Sequence, residues 1–176
     1  DIYANSLPSI TLVGLPDAAV KESTERVRAA LFNSALYYPR GRVTVNLAPA
    51  DLRKVGPVYD LPIAIGLLAA SEQVPLDRLE NTLFIGELSL DGSLRHIDGV
   101  LPMAYMAQQQ GIKTVYLPEV DAPEAALIRG LEVIPVPSMS ALVSHLRDFD
   151  PIAPFEHSER FDQVEDLPYT VDFADI

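Results

Sequence analysis

The sequence predicts an α/β fold, a mixed sheet with helices packed on it, and three stretches carry that expectation. The first is Lys54-Val55-Gly56-Pro57-Val58-Tyr59-Asp60-Leu61-Pro62, which runs straight into the apolar residues 63–70. A helix apolar on every side belongs in the middle of a domain. The second is the alternation of helix-like and strand-like segments after Val100, a βαβ pattern that implies some parallel pairing. The third is Asp91-Gly92 between two strand-like runs, the strongest short signal for a hairpin.

In chain order, residues 9–14 read as a short strand with Ile10 and Leu12 on one face. Asp17 is placed to cap a helix over 17–32, whose inner stripe is Val20, Ser23, Val27, Ala30 and Leu31 and whose outer face carries Lys21/Glu25 and Glu22/Arg26 pairs. Residues 41–47 alternate as a strand, and 48–57 form the loop into the central helix. Asp60 is read as the N-cap of that helix, with Pro62 where no N–H is needed. A connection over 71–81 leads to a strand at 83–90, paired through Asp91-Gly92 with 93–95. From there a helix over 100–110 ends at Gly111, followed by a strand 112–117, a helix 122–129, Gly130, a strand 131–136 and a helix 138–146. Residues 1–150 are expected to form one domain, and 151–176, acidic and without periodicity, a linker. Tyr169, Val171 and Phe173 are the linker residues expected to dock.

Composition narrows the function classes. The chain has 176 residues, no cysteine and a net charge of -12. A body of about 150 residues can bury roughly 68–70 % of its unfolded surface, enough for a real core. Absence of cysteine removes disulfides and thiolate metal sites and favours a cytoplasmic setting. No segment reaches the run of about 18 apolar residues that a membrane span needs. The start at Asp1 and the stop at Ile176 suggest a piece of a longer chain. Residues 151–176 hold seven acids and one base, whereas residues 21–54 hold seven cations against three anions. That second region is the basic part of an otherwise acidic protein.

The residues around Gly56 also carry a resemblance. Strand, loop, Gly-Pro and buried helix resemble the proteolytic domain of Lon, a ribosomal-protein domain-2-like fold in which a nucleophilic serine opens such a helix; Val58 stands at that position. Gly86-Glu87-Leu88-Ser89-Leu90-Asp91-Gly92 resembles a further Lon segment, and Gly99-Val100-Leu101 aligns with the one that supplies the catalytic lysine, here Leu101. Gly14-Leu15-Pro16-Asp17-Ala18-Ala19-Val20-Lys21-Glu22-Ser23 and Asn46-Leu47-Ala48-Pro49-Ala50-Asp51-Leu52-Arg53-Lys54 are more similar to the N-terminal, ChlI-type domain of the ComM/YifB family of Mg-chelatase-related AAA+ ATPases. That resemblance implies a non-catalytic accessory domain in a hexameric motor acting on branched DNA during natural transformation. Its partners would be its own AAA+ module and the neighbouring subunits, with ATP and Mg held by the module and no cofactor in this fragment.

An active dyad needs a serine at a strained turn and a lysine with a depressed pKa. The three lysines read instead as helix surface (Lys21), loop (Lys54) and strand edge (Lys113). No catalytic, cofactor or metal residues are therefore assigned: His96, His145 and His157 lack ligand spacing, and no Gly-x-x-x-x-Gly-Lys-Ser/Thr is present. Arg40, Arg42, Arg53 and Lys54 are the candidate contact with DNA phosphates or a neighbouring subunit, against the blander reading of solvated or locally paired charges. A divergent Lon-class serine peptidase and a purely structural oligomerisation domain are the alternative functions.

Overall fold

The structure, a computed structural model, describes residues 2–3 and 9–156. The remainder of the expected linker, 157–176, with Tyr169, Val171, Phe173 and His157, lies outside the described residues. Strand β1 is Ile2–Tyr3 and β2 is Ser9–Val13. Helix α1, Ala18–Asn33, starts where expected: Asp17 has extended backbone and accepts the Val20 N–H at 2.8 Å. That bond holds the Asp17 carboxyl below the ordinary carboxylate range, and its second oxygen takes the Gly56 N–H at 3.2 Å. One carboxylate thus fixes the start of α1 and the turn before the central helix.

Strand β3, Arg42–Asn46, pairs parallel with β2 (Ile10 opposite Val43) and antiparallel with β1. After it, the turn Pro57–Tyr59 feeds helix α2, Asp60–Ala70. Leu61, Ile63, Ala64, Ile65, Leu67 and Leu68 are all buried at the heart of the larger core cluster, as the all-round apolar pattern predicts. Each of its large side chains removed from water contributes roughly 1.5–3 kcal/mol before entropy is counted.

The expected strand over 83–90 is divided. Strand β4, Thr82–Phe84, joins a parallel sheet with β7, Thr114–Pro118, and β8, Glu132–Val136, while β5, Glu87–Leu88, forms a hairpin with β6, Leu94–Arg95. The break falls at Gly86, whose N–H and carbonyl bond to Val58 and Leu61 rather than to a strand. Asp91-Gly92 does close the hairpin. Gly92 has φ +88°, and a Cβ there would collide with the Ser34 hydroxyl.

Helix α3, Val100–Gln109, and helix α5, Met139–Leu146, match expectation, the latter capped by the Ser138 hydroxyl. Helix α4 is shorter than the expected 122–129, running Ala122–Ala125. Beyond it, Leu127 and Ile128 donate to carbonyls three residues back, tightening the chain so that it can turn at Gly130 into β8. Side-chain alternation gives the parallel sheet two covered faces. Val115, Leu117 and Val133 pack with Val100, Ala104 and Ala122 from α3 and α4, whereas Phe84, Tyr116 and Ile134 belong to the core around α2 and α5. The Phe84 and Tyr116 rings stack at 4.7 Å.

Asp60 is not the N-cap of α2. It is the first helical residue, and its carboxylate, fully buried, points away from the helix's own N–H groups. It accepts from the Ser23 hydroxyl, from Arg26 Nε at 2.7 Å and Nη2 at 3.0 Å, and from the Leu88 N–H at 3.1 Å. The Asp60 hydrogen bond raises the Arg26 guanidinium further above its ordinary value. A cap uses one or two donors of its own helix; here partners from α1 and β5 outbid them. Residues 151–156, assigned above to the linker, also remain tied to the body: Ile152 packs on the core and the Phe155 N–H bonds to the Val133 carbonyl at 2.8 Å.

Two expectations follow. Asp60→Ala strands a guanidinium and a backbone N–H, so urea unfolding should register a loss of about 3–5 kcal/mol, against about 1 kcal/mol for Ser23→Ala. His145 Nδ1 accepts the Ile152 N–H at 2.9 Å, which requires an unprotonated nitrogen, and burial lowers the pKa of this imidazole. Its contribution is therefore complete above the unfolded value of about 6.5 and declines as pH falls below it. The protection factor of the Ile152 amide, its exchange rate referred to the intrinsic rate at each pH, should fall as pH drops below about 6.5 in the wild type, and His145→Gln should remove that pH dependence.

Candidate functional site

The turn Pro57–Tyr59 and the start of α2 are pinned against Gly86: the Gly86 N–H reaches the Val58 carbonyl at 3.2 Å, and the Leu61 N–H reaches the Gly86 carbonyl at 3.1 Å. Gly56, at φ +85°, makes the bend that allows this. In front of the turn lies a cavity of about 240 Å³, lined by Val55, Gly56, Pro57 and Val58 on one side and by Glu87, His96, Ile97 and Asp98 on the other. Val58 packs partly buried against the smaller core cluster. Leu101, in the first turn of α3, is 37 % exposed, and its N–H donates to Glu124 Oε1 at 2.9 Å.

Among the described residues, no serine, threonine or lysine lines this cavity. Lys21 is exposed on α1, Lys113 is exposed just before β7, and Lys54 is turned into its own loop. What the cavity does hold is charge. His96 Nδ1 is hydrogen-bonded to the buried carboxylate of Asp121, whose other oxygen accepts the Ile97 N–H at 3.1 Å. Asp98 lies 3.5 Å from His96 Nε2. The Asp121 hydrogen bond and charge raise the His96 pKa, favouring imidazolium. An imidazolium flanked by carboxylates can hold a polar ligand. Sequence reasoning missed this cluster because His96 and Asp121 are linked only by tertiary structure. The one local hint was Asp121 preceding Ala122-Pro123, which reads as a cap.

The four candidate contact residues do not form one face. Arg40, Arg42 and Arg53 are exposed, but Lys54 is only 4 % exposed and must be withdrawn from the set. Its ammonium donates to the carbonyls of Pro49 and of Leu52, the latter at 2.7 Å. Its backbone bridges to Leu15 and Asp17, closing the loop 48–54 against the start of α1. The burial has a physical reason: an ammonium group with three donors satisfies loop carbonyls that have no strand partner. Arg40 and Arg42 precede or begin β3 and Arg53 follows its far end, so the strand alone separates them by about 13 Å. Arg53 instead adds an electrostatic attraction to Asp17.

Fold and cleft together define a Lon-like α/β domain, with Val58 in the turn before α2 and Leu101 in the first turn of α3. Residues 2–121 match the sequence model of the ChlI family, described as subunit ChlI of Mg-chelatase, and the chain belongs to that family. It is 49 % identical over 125 residues to the competence protein ComM of Haemophilus influenzae, covering 71 % of this chain and 24 % of the relative. An uncharacterised protein YifB of Escherichia coli is 46 % identical over 127 residues, covering 72 % of this chain and 25 % of YifB. Lon protease 2 of Bacillus subtilis is 30 % identical over 129 residues, covering 72 % of this chain and 22 % of the protease. The chain spans about a quarter of the length of the curated relatives it matches.

The two basic residues next to each other in sequence should behave oppositely on mutation. Lys54→Ala leaves loop carbonyls without a donor and should cost about 1–2 kcal/mol in urea unfolding, whereas Arg53→Ala should stay within about 0.5 kcal/mol.

Proposed function

We propose that this chain is the non-catalytic accessory and assembly domain of a larger, ComM-like AAA+ ATPase that works on DNA as a hexamer. The observation that supports the reading is the cleft at the start of α2, where Val58 stands in the turn that, by the resemblance to Lon, would carry the nucleophile, and where the lining among the described residues offers no hydroxyl or amine. In Lon-like chemistry the serine attacks and the lysine takes its proton; removing both leaves a shaped pocket without a reaction. The relative from Haemophilus influenzae is named a competence protein, and that name supports a role for this chain in handling DNA during natural transformation. In such a protein ATP and Mg are held by the AAA+ part, since these 176 residues include no phosphate-cradling loop. The partners are then that module and the neighbouring subunits, in the cytoplasm. Among the described residues no helix is long and apolar enough to cross a membrane.

The domain's own contact with DNA is weak on this reading. A net charge of -12 repels phosphates at a distance, and screening beyond about 8 Å at physiological salt leaves only short-range attraction from local cations.

The test is hydrolysis of fluorogenic peptides and casein by the purified chain, with labelling by a fluorophosphonate. No turnover and no labelled serine are expected. Hydrolysis that survives stringent purification and vanishes on substitution of one serine would falsify the non-catalytic reading in favour of a divergent peptidase.

A further inference from the structure

The outer side of α1 and the segment that follows it enclose a groove outside the Lon-like cleft. One cavity, of about 490 Å³, is lined by Arg28, Phe32, Leu36 and Tyr38 together with Glu25, Ala29 and Asn33. A second, of about 350 Å³, shares Tyr38 with it and adds Tyr37 and Arg40. Phe32 is 80 % exposed and Tyr37 78 % exposed. Arg28 and Phe32 are four residues apart on α1 and so lie side by side on its surface. The Arg28 guanidinium stands over the Tyr38 ring, 5.7 Å from its centroid. Among the described residues Arg40 has neither an ion pair nor a side-chain hydrogen bond.

We infer that this groove binds single-stranded nucleic acid, with bases stacked on Phe32 and Tyr37 and the backbone phosphates drawn to Arg28 and Arg40. The inference rests on the DNA-handling reading above and gives it a location. Exposed rings with open π-faces are stacking platforms for unpaired bases of any sequence, and planar guanidinium groups pair with phosphate and with aromatic faces. Duplex DNA hides its base faces in the stack, so exposed rings favour a single strand. Of the seven cations in residues 21–54, Arg28 and Arg40 line the two cavities beside these rings. Glu25 is the one anion in the lining and opposes the phosphates.

The experiment uses the whole chain and fluorescein-labelled dT and rU strands of about sixteen nucleotides, with a duplex of equal length, over a salt series. Phe32→Ala with Tyr37→Ala alters exposed rings, so the urea midpoint should hold while single-strand affinity falls about tenfold or more and its salt slope stays unchanged. Arg28→Gln with Arg40→Gln should weaken binding and flatten the slope by about 1.4, two phosphate contacts on a single strand. Glu25→Gln should tighten binding several-fold, and Phe32→Tyr should retain it.

Three outcomes would overturn the assignment. If the wild type binds strands but only Arg42→Gln with Arg53→Gln weakens them, the groove is wrong and the DNA-handling reading stands. If the wild type binds neither strand nor duplex at low salt, the groove assignment falls, whereas the DNA-handling reading, which concerns the larger protein, is tested there separately. If the ring variants change self-association in sedimentation and leave strand affinity intact, the groove is a protein contact instead.

Discussion

A single buried carboxylate holds the two ends of this architecture together. Asp60 sits at the first turn of the central helix, where its oxygens take donors from α1 (Ser23, Arg26) and from β5 (Leu88). Desolvating a carboxylate is expensive unless its lone pairs are filled, and here at least four donors fill them. The same bonds fix how α1 crosses α2 and where the chain leaving Gly86 must run. Apolar contact alone is non-directional and would permit many such arrangements; the carboxylate admits one.

The geometry of the vacated cleft follows from that constraint. Once α2 and Gly86 are registered, Val58 and the Gly56-Pro57 bend face Glu87, His96 and Asp98 across a small cavity. The turn that opens α2 carries Val58, which packs on the smaller core cluster. A side chain without chemistry can be tolerated there because it fills space. Beside it the His96 ring is hydrogen-bonded to the buried Asp121 carboxylate.

Charge on this protein has to be read locally. The net value of -12 describes its long-range field, yet the cations of residues 21–54 fall into separate roles. Arg26 neutralises Asp60, Lys54 closes a loop, Arg53 lies near Asp17, and Arg28 and Arg40 border the aromatic groove. Sequence proximity suggested one basic face; the strand between Arg42 and Arg53 divides it.

What the sequence determined by itself is everything set by short-range rules. The all-apolar run around Leu67, the Asp17 cap and the parallel alternation after Val100 were legible because propensity, capping and periodicity act within a few residues. Tertiary structure decided the rest. It turned Asp60 from an expected cap into a junction, buried Lys54, cut the strand at Gly86 and brought His96 to Asp121. In each case a polar group chose between a local partner and a distant one, and the choice depended on which donors the packed core left unsatisfied. That competition is settled only when the whole chain is folded, because the cost of an unpaired buried group exists only once water has been excluded.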